Sequence, residues 1–425
     1  MLDAINKLMG TAEKPDMEAL KKRVSAARRL PALDREKVIC ACGALSRELA
    51  SPEYAAMLSG LGMPEEKIRR EISLAAEMLS EGYLRERVKT ELGETEDAAF
   101  TPFGSSRPVK RGLRPLGVLL HISAGNVDAL PAFSVIEGLL TGNVNLLKLP
   151  REDNGLSAAA LERLCAIEPA IEPFVEVLDV PSTDTETLAA LAELSDAVVV
   201  WGGDEAVAAA RRLVKPDTRV IEWGHKLSFA YFSGAQADEA LYSAAENICM
   251  TEQLYCSSCQ GIYLDTDDFE EVCRFAERFA AILGEVSEKY PFSGGDRIRA
   301  QKTLELYTEE LEARPNEKRV FRANGVGVIA VNDGALEASY QFRCPWVKPL
   351  KRERLPETLA PYKNRLQTVF LSCADEEKDA LSELLLKTGV FRITDGRLMS
   401  REYCGMPHDG EYPLLRYVKR VSVEI

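Results

Sequence analysis

Three thiols crowd the stretch NICMTEQLYCSSCQGIYL, residues 247–264: Cys249, Cys256 and Cys259. A C-x-x-C spacing can be a redox pair, half of a metal site, or one nucleophile beside a bystander. A redox pair needs the motif at a helix N-terminus after a strand, where the thiol pKa is lowered. Here it follows the helical run DEALYSAAENICM and precedes an apolar, strand-like one. That context disfavours redox use. A zinc knuckle needs a second pair, and Cys40-Ala-Cys42 has neither the place nor the spacing. The three histidines, His121, His225 and His408, are scattered, so no metal site is expected. A single nucleophilic cysteine remains.

Other positions could carry chemistry, each with a plainer explanation. Lys148 closes the run NLLKL, at the kind of strand end where α/β sheets bind ligands. A solvated lysine at a strand exit explains it equally well. Gly202-Gly203 separate AVVVW from the helical DEAVAAARR. Backbone N–H groups there can hold a pyrophosphate, or the pair is only a turn. No G-x-G-x-x-G follows the first strand, which runs into HISAGNVDALP, so the Rossmann fingerprint is absent. Glu222 closes VIEW and is followed by Gly224 and Lys226. A partly desolvated carboxylate at such an edge can act as a general base, or is paired with a cation such as Lys226.

These residues need elements to position them. At 425 residues the chain is long enough for two to three domains. Residues 1–95 carry apolar positions at three- and four-residue steps, with Asp16 and Pro64-Glu65 as helix starts. From Leu116 to Phe232, apolar strand runs (LGVLLHI, NVNLLKL, FVEVLDV, AVVVW, RVIEW) alternate with helical ones. Near-continuous apolar strands imply a parallel sheet covered on both faces, doubly wound as in dinucleotide-binding units. A less regular α/β region follows, and the tail LLRYVKRVSVEI reads as an edge or bridging strand. The formal charge of −14, with no Lys/Arg-rich block, excludes nucleic acid as an expected partner. No apolar run reaches spanning length, and ten cysteines without a secretory signal are expected as reduced thiols in the cytoplasm.

The order of the segments says more than any one of them. GNVNLLK, VVVWGGDEAV, VIEWGHK and QLYCSSCQ, in that succession, resemble the aldehyde dehydrogenase superfamily. There a lysine-ended strand, a glycine-bearing turn, a glutamate segment and the nucleophilic cysteine follow one another. That superfamily separates its glutamate and cysteine by thirty-four residues, and here 256 − 222 = 34, which selects Cys256. The chain is more similar still to one branch, the acyl-CoA reductases of the LuxC type, which serve bacterial luminescence as fatty-acid reductases. The likeness lies in C-S-S-x-Q from Cys256 to Gln260, in LQTVFL and GVFRIT, and in PHDG from Pro407 to Gly410. Where that family commonly has proline after Cys-Ser-Ser, Cys259 stands, so the C-x-x-C is an accident of substitution. The resemblance spans about Arg107 to the end.

The resemblance implies an aldehyde dehydrogenase-like α/β fold. Its parts would be an N-terminal helical region (1–95), a dinucleotide-binding domain (96–232), a catalytic domain (233–398) and a tail (399–425). It implies reduction of an acyl-CoA or acyl-carrier thioester to an aldehyde, with Cys256 as nucleophile and Asn126 as the oxyanion donor. A buried structural asparagine is the plainer reading of Asn126. Lys148, Gly202, Gly203 and Gly224 would line the cofactor. In NAD-preferring relatives a glutamate stands three residues past the lysine; here that position is Arg151, which suits the 2′-phosphate of NADPH. His408 either orients a catalytic group or holds the tail. An acyl-transferring partner enzyme and a homo-oligomer are further implications. Two other readings stand beside this one. If Glu222 activates water, the chain is an acid-forming aldehyde dehydrogenase; if the fold persists without catalysis, it is a scaffold.

Overall fold

Capping aspartates and serines start the N-terminal helices. The computed structural model describes residues 15–424 apart from 61–64, 94–100, 104–108, 124–128, 151, 152, 154, 236 and 293. Asp16 accepts from the backbone N–H groups of Glu18 and Ala19, both at 3.0 Å, and so opens the helix Met17–Ala27. Asp34 opens Arg35–Leu49 and Ser80 opens Glu81–Leu92 in the same way. Pro52–Gly60 and Glu65–Met78 complete the helical region. Leu20, Val24, Val38, Cys42, Leu45 and Leu49 recur at helical spacing and enter one core cluster with Val118, Leu120 and Leu146 of the first large sheet.

Two short strands, β1 (Thr101–Phe103) and β2 (Val109–Pro115), pair antiparallel. Then come five parallel strands: β3 (Val118–Ile122), β4 (Val144–Lys148), β5 (Val175–Leu178), β6 (Ala197–Trp201) and β7 (Arg219–Trp223). Their order is β5-β4-β3-β6-β7. The chain therefore reverses direction of growth between β3 and β6, and the carboxyl ends there form the crevice where such sheets bind ligands. Both faces are covered: Val118, Leu120 and Val198 enter one cluster, Leu119, Val199 and Ile221 another.

The second unit is built on β8 (Leu227–Phe232), β9 (Cys259–Leu264), β10 (Lys318–Ala323), β11 (Val326–Val331), β12 (Trp346–Pro349), β13 (Leu366–Ser372) and β14 (Arg392–Thr394). They form one sheet ordered β10-β11-β12-β9-β8-β13-β14, parallel except for the β10–β11 hairpin. The helices Asp238–Thr251 and Phe269–Ser287 cover one face, with Ala230, Phe232, Ile248, Ile262 and Phe279 in the core between. The tail ends in β15 (Val418–Val423), antiparallel to β2.

The two units comprise Met1–Gly224 with Tyr403–Ile425, and His225–Glu402. The expected boundary after residue 232 thus falls eight residues early, 232 − 224 = 8. The reason is that β8 hydrogen-bonds to β9 and β13, not to β7. The expected tail also divides, its residues 399–402 staying with the second unit. No described helix is long and apolar enough to cross a membrane.

Candidate active site

The loop that carries Cys256 is held by backbone in an unusual conformation. After the helix Asp238–Thr251, Glu252 and Gln253 are left-handed, with φ of 52° and 60°. A second run, Gln341, Phe342 and Arg343, is left-handed as well, with φ of 61°, 50° and 68°. Each such non-glycine residue costs on the order of 1 kcal/mol. The two runs clasp each other. Phe342 N donates to Glu252 O at 2.8 Å, Arg343 Nη2 to Glu252 Oε1 at 2.7 Å, and Cys344 N to Gln253 Oε1 at 2.8 Å. The Glu252–Arg343 pair is buried. Gln253 Nε2 then reaches the carbonyls of Cys259 and Gln260 at 3.0 and 3.2 Å, and Gln260 Nε2 returns a bond to Gln253 O at 3.1 Å.

Within this frame both peptide planes flanking Cys256 are fixed. Ser258 N donates to Tyr255 O at 3.0 Å, while Tyr255 N donates to Ser258 Oγ at 2.9 Å. The hydroxyl of Ser228 donates to Cys256 O at 2.6 Å. On the far side, Ser400 Oγ donates to Ser257 O at 3.1 Å and accepts from Asn247 Nδ2 at 2.9 Å, while Asn247 Oδ1 accepts from Cys259 N at 2.9 Å.

Cys256 is half-buried, whereas Cys249 and Cys259 are buried. Burial pushes both of those thiols up to about 12, so they are protonated at neutral pH. Cys259 lies inside β9 and its Sγ donates to Gly261 O at 3.3 Å. It is a core residue. A cavity of about 280 Å³ in the same unit, lined by Phe232, Asp265, Arg274 and Arg278 among others, opens at the carboxyl ends of β8 and β9. Cys256 precedes the amino end of β9, so that cavity is not the nucleophile's.

In the first unit, the strand ends carry the expected cofactor residues. Ile122, Lys148 and Val200 stand in register at the carboxyl edge. Lys148 is buried and its Nζ donates to Ser182 Oγ at 2.9 Å. Ser123, next after β3, buries a hydroxyl with no hydrogen-bond partner among the described residues. Gly202 passes close to the following helix, and an added Cβ would come within 3.0 Å of Ala206 Cβ. At Gly203 and Gly224 an added Cβ would meet nothing within 4 Å. The helix Asp204–Leu213 starts at Gly203 without a side-chain cap and has Asp204 and Glu205 in its first turn. Those acids oppose an anion at the helix end, which leaves Lys148 to supply the positive charge. The buried ammonium and the orphaned hydroxyl, at the carboxyl ends of β4 and β3, fit a dinucleotide phosphate. Asn126 and Arg151 lie outside the described residues.

Glu222 is not paired with Lys226. Both of its carboxylate oxygens are taken by Arg211, Nη2 to Oε2 at 2.8 Å and Nε to Oε1. Lys226 Nζ donates to Asn364 O at 2.9 Å. His408 sits at the tail turn, its backbone bridged to Glu411. Its ring lies 5.3 Å from Trp201 and 5.0 Å from Trp223, centroid to centroid. That packing favours the tail-holding reading. Sequence reasoning missed Ser228, Gln253, Arg343 and Ser400. Arg343 acts on the cysteine loop through the Glu252 carboxylate, and Ser228, Gln253 and Ser400 act through backbone carbonyls; no spacing rule reports such partners.

Residues 36–420 match the acyl-CoA reductase (LuxC) family. The long-chain acyl-protein thioester reductase of Vibrio harveyi is 27% identical over 377 residues, 87% of this chain and 76% of that protein. Its counterpart from Aliivibrio fischeri is 26% identical over 323 residues, 73% of this chain and 64% of that protein. Among solved structures, a bifunctional proline utilization A (PutA) protein superposes with a TM-score of 0.73 at 17% identity, over 98% of this chain and 45% of that one. Lactaldehyde dehydrogenase from Escherichia coli superposes with a TM-score of 0.68 at 16% identity, over 96% of this chain and 89% of that one. At those identities the structural likeness establishes the fold alone. Fold and family match together place this chain among the oxidoreductases of the acyl-CoA reductase (LuxC) family, on the aldehyde dehydrogenase fold.

Proposed function

We propose that this protein reduces an acyl thioester to an aldehyde through an acyl-enzyme on Cys256, with NADPH as reductant. The observation that carries the reading is the contrast among three neighbouring thiols. Cys256 is half-buried on a turn fixed from both sides, while burial holds the thiols of Cys249 and Cys259 at about 12.

The Cys256 sulfur attacks the acyl carbonyl; the C–S bond to the carrier breaks and the carrier leaves as its thiol. When bound, a reduced nicotinamide would supply the hydride that the acyl carbon needs. The resulting thiohemiacetal takes a proton, and its C–S bond breaks to give the aldehyde and the free cysteine. Negative charge gathers on the former carbonyl oxygen in both stages, and the side-chain amide of Asn126 is proposed as a donor to it. Lys148 would hold the cofactor's anionic part, and Arg151 its 2′-phosphate. The relatives' names specify a long-chain acyl-protein thioester. We extend that class to this chain, alongside acyl-CoA and an acyl-transferring partner that would load it.

Glu222 bears on the acid-forming alternative. A general base for water must be free to turn toward it, and the Arg211 fork holds the Glu222 carboxylate by both oxygens. That arrangement favours reduction over hydrolysis.

Intact mass after brief incubation with palmitoyl-CoA, without reductant, tests the reading. One acyl adduct is expected on Cys256, absent in Cys256→Ala and retained in Cys259→Ala. An adduct elsewhere, or none, sinks it. Arg151→Ala is expected to lower the NADPH/NADH ratio of kcat/KM about tenfold or more; an unchanged ratio removes Arg151 from that role.

A further inference from the structure

The sheet of the second unit is irregular at one place. Along β8, Leu227 pairs with Leu366 and Phe229 with Val369, so β13 advances three residues while β8 advances two. On the other side Ser228 pairs with Cys259 and Ala230 with Ile262, so β9 also advances three against two. Both neighbours of β8 therefore carry an extra residue at the same level. Ser228 stands between them, fully buried.

A bulge leaves backbone groups without ladder partners, and a buried one must be satisfied otherwise. The Ser228 hydroxyl does this with its proton and one lone pair. Its oxygen accepts from Thr368 N at 3.0 Å, and its single proton goes to Cys256 O at 2.6 Å. A serine that merely plugged the bulge could give its proton to either adjacent strand. Here it is given to the carbonyl of the nucleophile itself. With Tyr255 O held by Ser258 N, this bond fixes the second of the two peptide planes that flank Cys256, and hence the backbone that aims its sulfur.

We propose that Ser228 is a positioning residue for acyl transfer to Cys256, holding the Cys256–Ser257 peptide so that the thiol meets a bulky acyl carbon along one line. The inference rests on the acyl-enzyme reading above and adds to it the residue that sets the approach. Small electrophiles need no such line, since they can reach a half-buried sulfur from more directions than a bulky acyl group can. Acylation and alkylation should therefore part company when the hydroxyl is removed.

Wild type, Ser228→Ala and Ser228→Thr are compared as full chains. Acylation of Cys256 by palmitoyl-CoA without reductant is followed by intact mass, and alkylation of the same residue by iodoacetamide is followed across the thiol's titration range. Ser228→Ala is expected to acylate about 10- to 100-fold more slowly. Its alkylation rate and pH midpoint should stay within about twofold of wild type, and Ser228→Thr should restore acylation. Acylation of Ser228→Ala at the wild-type rate overturns the proposal, as does a parallel fall in alkylation, which reports loop collapse. If Ser228→Ala does not fold, Ser228→Thr decides: wild-type acylation supports the proposal, and slow acylation with normal alkylation overturns it. A wild-type chain that never acylates at Cys256 sinks the proposed reaction and this inference together. Wild-type acylation beside an unaffected Ser228→Ala sinks this inference alone.

Discussion

Gly202 and Gly203 are neighbours in sequence yet serve different ends. The first lacks room for a side chain beside Ala206, whereas the second faces open space. Gly202→Ala is therefore expected to destabilise the first unit by about 1 kcal/mol or more, because the helix must shift to admit the methyl group. Gly203→Ala should melt like wild type but bind NADPH about tenfold more weakly if phosphate lies against that backbone. A thermal melt and a fluorescence titration separate the two, and weakened binding in neither variant would remove the glycine turn from the cofactor site. At this scale sequence reasoning reaches what is local. It singles out Cys256 by its motif and its distance from Glu222, which remains a proposal, and it places Lys148 at a strand end, where β4 does close. Ser228 looked like any small residue in LSFAYF, because its role depends on two bulges in strands far along the chain.

A buried ionic cluster ties three elements of the first unit. Arg87, on the helix Glu81–Leu92, bonds Glu91 of its own helix and Glu137 of the helix Leu130–Leu140. From the tail, Leu414 N donates to Glu91 Oε2 at 2.8 Å and Tyr417 OH to Glu137 Oε2 at 3.2 Å. Burial raises the Glu91 carboxyl, and the Arg87 guanidinium counters that rise. Arg87→Ala would leave two buried carboxylates without their cation, and a loss of about 3–5 kcal/mol is expected. Urea denaturation measures it; a loss under about 1 kcal/mol would mean that water or rearrangement replaces the cation. The inner strands of the five-stranded sheet, β3, β4 and β6, could be read from sequence, since strands buried on both faces are largely apolar. The helix Gly295–Glu312 could not: only Leu306 is buried, while Leu304 and Leu311 face solvent. Nor was β8 distinguished from the unit before it, because just three residues, 224–226, separate it from β7.

For the molecule as a whole, acid sensitivity should begin with one histidine. His121 is fully buried in β3, and desolvation lowers its pKa to about 4. Its ring lies between Ser134 Oγ at 2.7 Å from Nδ1 and Asn145 Oδ1 at 3.0 Å from Nε2. The Asn145 amide N–H groups go to Asn143 O and Phe174 O, so Oδ1 accepts and Nε2 must donate. The neutral ring is thereby fully used. The unfolded chain binds a proton near pH 6.5 and the folded one does not until about pH 4. Stability is therefore fully present above the upper value and falls as pH drops between the two, by about 3 kcal/mol. Carboxylates held low by arginine, such as Glu48 and Glu270, add their losses only below the ordinary carboxylate value of 4.5. Urea midpoints taken through this range should fall in wild type and stay flatter in His121→Asn; equal slopes would contradict the assignment. The clasped left-handed turns carry a consequence for biosynthesis. The later partners of residues 252–260 arrive at positions 339–344 and 400. A nascent polypeptide still on the ribosome, with only its first 330 or so residues emerged, cannot yet shape the loop. The sulfur gains its setting only once those later residues have emerged, so products cut before residue 339 should lack the clasp around Cys256.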